Sequence, residues 1–157
     1  MATALLSKHG APPCEFLVNV EGIVLPELSG QTDFRLSVSW NDITAHKAAR
    51  VRQTEQSKPI VERAAVALAA LLFARLMRDG EMRVTREGDR ADYWLPQLQC
   101  ALEISGTVSP NEVARRHREK IAQVMSNPLR WNGYVVVCGF APQQKIIRWS
   151  YHRQEES

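Results

Sequence analysis

Cys100 to Ser105 (CALEIS) opens a stretch that continues through Thr107-Val108-Ser109-Pro110 to about Asn127 and then to Gly133–Phe140 (GYVVVCGF). The first piece is small and apolar except for one acid, which is the pattern of a buried strand. Ser109 reads as a helix cap, with Pro110 at the first position and Glu112 three residues after the cap. The helix ends before Pro128 and carries an apolar stripe of Val113, Ala114, His117, Ile121, Val124 and Met125. Gly133 to Phe140 is apolar throughout, as a strand covered on both faces must be. Strand, helix and buried strand in that order define an α/β protein.

Working outward, Lys145 to Tyr151 (KIIRWSY) adds a last strand. Upstream, Met82 to Arg86 and Ala91 to Leu95 read as strands, parted by Glu87-Gly88-Asp89 and closed by Pro96. A helix is predicted from Ser57-Lys58-Pro59 to Arg78, stopping at Asp79-Gly80. Its apolar residues cover most of the circumference, so burial on more than one side is expected, and Glu62 points the same way as Val66, Ala69 and Phe73. Residues 15–25 alternate as a strand, and Phe34 to Trp40 (FRLSVSW) alternates as a half-buried strand antiparallel to it. Asn41 and Asp42 cap a short helix to about Thr54. The expectation is one domain: a mixed sheet flanked by helices, with a β-hairpin extension over 15–41 and a core over 58–151.

Composition bounds the function. The 157 residues include 45% hydrophobic and 24% charged side chains, with a net charge of +3, which fits one globular core and excludes general disorder. The longest apolar run, Ala64 to Ala74, is 11 residues, whereas a membrane span takes about 20. Cys14, Cys100 and Cys138 are odd in number and lack CxxC spacing, so no disulfide framework or zinc site is expected. MATALLSKHGAPPC has no sustained apolar segment, so a cytoplasmic location without a secretory signal is expected. From Pro110 to Arg153 eight basic residues face two acids, Glu112 and Glu119. Arg115, Arg116, Arg118, Arg130, Lys145 and Arg148 are therefore candidates for phosphate contact, or simply a solvated helix face.

Glu103 and Ser105 share one strand face, and Leu102 and Ile104 the other. An unpaired buried carboxylate costs several kcal/mol, so Glu103 must meet water, a cation or a metal. Asp92 begins the preceding short strand, and a tight hairpin brings the two acids together. Hard ions such as Mg²⁺ take oxygen ligands of this kind. Glu62 is a third candidate ligand, with a second reading as a first-turn acid favoured by the helix dipole. His117, central in an apolar stripe, reads as a core histidine. Trp94, Trp131, Trp149 and Tyr151 read as core aromatics or as stacking surfaces beside Arg130 and Arg148. No Walker loop, GxGxxG, HExxH or GxSxG occurs.

The order helix, three strands, helix, strand, with Ala91-Asp92 on the second strand and Glu103-Ile104-Ser105 on the third, resembles the restriction-endonuclease-like PD-(D/E)xK nuclease superfamily over about 58–140. That resemblance implies a nuclease acting on nucleic acid, with Mg²⁺ or Mn²⁺ held by Asp92 and Glu103, assisted by Glu62. Ser105 stands where the family has lysine, and Ala91 where it has proline. Lys120, at the edge of the next helix's apolar stripe, is a candidate replacement, or else a solvated lysine. The rival expectation is a degenerate module that binds nucleic acid, a partner protein or a second copy of itself.

Overall fold

A computed structural model describes residues 6, 12–23, 31–41, 46–47, 49–50, 57–77, 81–85 and 91–154. The elements are β1 (Cys14–Glu21), β2 (Asp33–Val38), α1 (Ser57–Leu72), β3 (Arg83–Val84), β4 (Tyr93–Leu95), β5 (Cys100–Thr107), α2 (Val113–Met125), β6 (Gly133–Phe140) and β7 (Lys145–His152). They form an α/β structure on a seven-stranded mixed sheet in the order β2-β1-β7-β6-β5-β4-β3. β5 and β6 run parallel, joined by the crossover through α2, and β1 runs parallel to β7. The remaining neighbours are antiparallel.

Alternation divides the sheet into two faces. Leu102, Ile104, Val136, Cys138, Phe140, Ile147 and Trp149 pack with Ile60, Ala64, Leu68, Leu72 and Phe73 of the α1 segment. The opposite face meets α2 through Val113, Val124, Val135 and Val137. Burying a side chain of this size contributes about 1.5–3 kcal/mol, so the α1 face carries most of the hydrophobic stabilisation. Gly106 sets how closely α1 approaches: a Cβ there would lie 2.6 Å from the Val61 carbonyl oxygen.

The hairpin expected as an extension is part of the sheet itself. Phe16 and Val18 are fully buried, and Phe16 meets Phe140 edge-on with ring centroids 6.0 Å apart. β1 stops at Glu21 instead of Leu25, because Gly22 turns the chain at φ +69°. The predicted strand over 34–40 is β2, ending at Val38. α1 closes in a π-helical turn over Phe73–Met77, and Leu71 stays 51% exposed, so its apolar circumference is not sealed all round. The predicted stop at Asp79-Gly80, the turn at Glu87–Asp89 and most of the helix over 41–54 lie outside the described residues. Of that helix, residues 46–47 and 49–50 are helical.

β3 is reduced to two residues, since Thr85 turns its hydroxyl to the Ala91 carbonyl and its amide to that of Asp92. The capping box expected at Ser109 is also absent. Pro110–Glu112 form a 3₁₀ turn, the Ser109 hydroxyl caps nothing, and Thr107 Oγ1 accepts the Ser109 amide at 3.1 Å. Arg115 and Arg116 draw the Glu112 carboxylate away from the cap, to 3.1 and 3.0 Å. Among the described residues no helix is long and apolar enough to cross a membrane.

Candidate acid–lysine site

Tyr93 pairs with Leu102 in the antiparallel β4–β5 ladder, so Asp92 falls opposite Glu103. Opposed residues of such a ladder project from the same face, here the one under α2. The turn of residues 96–99 supplies the tight hairpin that convergence needs. Asp92 Oδ2 also accepts the Ile104 amide at 3.0 Å, which holds its carboxylate against β5.

Lys120 completes the cluster. It is seven residues, two helical turns, beyond Val113, so it too faces the sheet. Its Nζ donates to Glu103 Oε2 at 2.5 Å and to Asp92 Oδ2 at 2.9 Å. Glu103 is almost fully buried at 3% side-chain exposure, Lys120 is 18% exposed and Asp92 39%. With both carboxylates ionised the three make a cluster of net charge −1. Burial pushes the Glu103 carboxyl up, and the Asp92 charge adds to that against the opposing pull of Lys120. Burial works against the Lys120 charge, but its bonds to Glu103 and Asp92 win and its pKa lies above the ordinary lysine value.

Two open clefts meet at Asp92 and Lys120. One, about 360 Å³, is lined also by Glu62, Tyr93, Ile104 and Ser105. The other, about 420 Å³, adds Glu103, Gln123 and Ser126. Asp92 and Lys120 therefore line both clefts, and Glu103 lines only the second.

Glu62 lines the first cleft but is held apart from the pair. Its Oε2 accepts the Gly106 amide at 3.1 Å, and its Oε1 lies 3.5 Å from Arg116. Arg116 also donates to Ser105 Oγ at 3.2 Å and to the Gly106 carbonyl at 3.1 Å, and it pairs with Glu112. Ser105, the position of the missing lysine, is thus met by a guanidinium from the same helix face as Lys120. Among the described residues no three His, Cys, Asp or Glu side chains converge as a ready metal cage. Two carboxylates that grip one ammonium nitrogen are a fitting start for a hard divalent ion, which usually keeps several waters.

The other basic candidates differ in their settings. Arg115 pairs with Glu112 and Glu119, and Arg116 with Glu112 and Glu62. Arg118 and Arg130 are exposed, while Lys145 and Arg148 are half-buried on β7.

A separate polar chain lies under α2. His117 Nε2 and the Ser150 hydroxyl are 2.9 Å apart, and Ser150 Oγ and His152 Nε2 2.8 Å. The stripe position of His117 was legible, whereas its partners were not. Their only signal is that Ser150 and His152 alternate onto the α2 face of β7. Burial and then the Arg148 charge lower His117 to about 4. Above pH 6.5 the imidazole is neutral in both states and its contribution is complete. As pH falls from 6.5 to 4 the unfolded chain binds a proton that the folded one refuses, which removes up to about 3 kcal/mol at 1.36 kcal/mol per pKa unit. His152, lowered by burial, adds in the same direction. Urea unfolding at pH 7 and pH 4.5 should therefore show a loss of stability on acidification that shrinks in His117→Gln. An equal loss in both proteins would refute the assignment.

Comparison with protein-family models, with curated proteins and with solved structures finds no match to this chain. The functional reading rests on the site alone.

Proposed function

We propose that this protein is a divalent-metal-dependent nuclease with a restriction-endonuclease-like core formed by α1, β3, β4, β5, α2 and β6. The observation that carries the reading is the single Lys120 nitrogen bonded to both Asp92 and Glu103. It places a cation from α2 beside the acid pair whose own strand offers Ser105. A nuclease of this class needs two carboxylates for Mg²⁺ or Mn²⁺ and one cationic group near the attacked phosphate.

Asp92 and Glu103 would hold the ion, with water in its other positions. A bound divalent ion supplies a more acidic water and charge stabilisation at the phosphoryl oxygens. Lys120, released in part from the acids, would donate to the water or to the developing negative charge. Glu62 supports the β5 end through the Gly106 amide, and Arg116 fills the space beside Ser105.

The test is cleavage of DNA and RNA with Mg²⁺ or Mn²⁺ by the full chain, beside Glu103→Gln. Cleavage that stops on chelation and in the variant supports the reading. Equal activity in both proteins, or cleavage that survives chelation, rejects it. Two observations favour a second reading, a non-cutting module: the acids are already neutralised in part by Lys120, and Arg116 is engaged by Glu112, Ser105 and the Gly106 carbonyl. Such a module would bind nucleic acid without cutting, with affinity that falls steeply with salt.

A further inference from the structure

The face of the sheet that carries Asp92 and Glu103 also carries an aromatic pair. Trp94 lies two residues beyond Asp92 on β4 and opposite Ala101 of β5, so its side chain leaves the same face. Trp131, just before β6, meets it with ring centroids 4.6 Å apart and planes inclined at 49°. Both rings are half-buried. α2 packs chiefly on β5 and β6, with the pair beside it on the β4 flank. A core pair of this size would normally be closed off, because each indole buries about 150–250 Å² when fully enclosed.

Two arginines flank the pair: Arg83, the register partner of Trp94 on β3, is 64% exposed and pairs with Glu81 at 2.7 Å, and Arg130 precedes Trp131 and is exposed. Two strand residues span about 7 Å, and one nucleotide of a stacked strand rises about 3.4 Å. A phosphodiester at the acid–lysine cluster therefore has a base one or two nucleotides away within reach of the indoles.

We propose that Trp94 and Trp131 form a stacking platform for an unpaired base next to the attacked phosphodiester, so that the protein takes single-stranded or frayed nucleic acid. The inference rests on the nuclease reading for its substrate class. In continuous duplex every base is already stacked between its neighbours, so no face is free for an indole. The contact is to a π-face, which every base has, and selects for strandedness and not for sequence.

Binding separates this inference from the cleavage reading. The probes are oligo(dT), oligo(U) and a blunt duplex of equal length, added with Mg²⁺ to the full-length Glu103→Gln variant so that nothing is cut. The expected result is quenched tryptophan emission and tighter binding with the single strands. Trp94→Leu, in the same background, should weaken single-strand binding about 5- to 150-fold and leave duplex binding unchanged. Trp94→Phe, which keeps a ring, should recover part of the loss. If Trp94→Leu does not fold, Trp131→Phe and Trp131→Leu are compared in the same way. Equal affinity for single strand and duplex, or Leu variants that bind like the Phe variants, would overturn the platform. A wild type that cuts neither strand form while the Glu103→Gln pattern holds would sink the nuclease reading and leave the stacking site standing.

Discussion

Lys120→Met should lose about 3–5 kcal/mol of stability at pH 7, the usual cost of removing one partner from a buried ion pair. The variant keeps Glu103, 3% exposed, and Asp92 facing one another with no ammonium between them. The Asp92 arm is more exposed and contributes little of this cost; the Glu103 arm carries it. Burial already raises the Glu103 carboxyl, and loss of Lys120 removes what opposes the rise. A carboxyl whose folded pKa lies above its unfolded one adds stability fully below the unfolded pKa and loses it as pH rises through the folded value. The deficit of Lys120→Met against wild type should accordingly be small near pH 4.5 and widen towards pH 7. Comparing the proteins at each pH cancels the His117 titration, which is common to both. Glu103→Gln in the same background should recover most of the loss, because a neutral amide needs no counter-charge. A deficit independent of pH, or a double variant no better than Lys120→Met, would mean that Lys120 acts by packing its stem and not by its charge.

How far the sequence carried this site depends on the kind of signal each residue left. Strand alternation put Glu103 and Ser105 on one face and Leu102 and Ile104 on the other, and the structure places them so. That alternation follows from backbone geometry, which one short segment reports completely. The convergence of Asp92 with Glu103 needed the β4–β5 pairing, and Pro96 gave the turn that makes it tight. Lys120 was legible only as a residue at a stripe edge. Its spacing from Val113 gives its direction, but its reach to both acids depends on how α2 docks on the sheet, which no local pattern encodes. The same limit applies at Glu62, where inward direction was evident, yet its bond to the Gly106 amide was not. At the Ser109 cap one local pairing overrode another, since two arginines three and four residues on outbid a backbone amide for Glu112. The hairpin at 15–41 shows the opposite case. Both strands were evident from their alternation, but the parallel docking of β1 on β7 pairs residues more than a hundred positions apart, beyond the reach of any periodicity.

Mn²⁺ or Mg²⁺ should raise the melting temperature of the wild type and raise that of Lys120→Met by more. An ion that binds only the folded state adds about 2.7 kcal/mol at a hundredfold excess over its dissociation constant, which for a chain of this size corresponds to about 5–10 °C. In the wild type the ion competes with the ammonium for Asp92 Oδ2 and Glu103 Oε2, so part of its binding energy goes into displacing Lys120. Lys120→Met removes that competitor and leaves two unneutralised carboxylates, so the shift should be larger and appear at lower metal concentration. Glu103→Gln removes one of the two anionic ligands and should abolish the shift. The pattern across the three proteins is informative in each combination. A shift in Lys120→Met alone means that the lysine closes the metal site in the native chain, which would favour the non-cutting module. No shift in either wild type or Lys120→Met would remove the metal from this site and leave Glu103–Lys120 as a structural ion pair. A shift that survives Glu103→Gln would place the ion elsewhere on the molecule. The nuclease reading requires the graded outcome: smaller in the wild type, larger without Lys120, absent without the Glu103 charge.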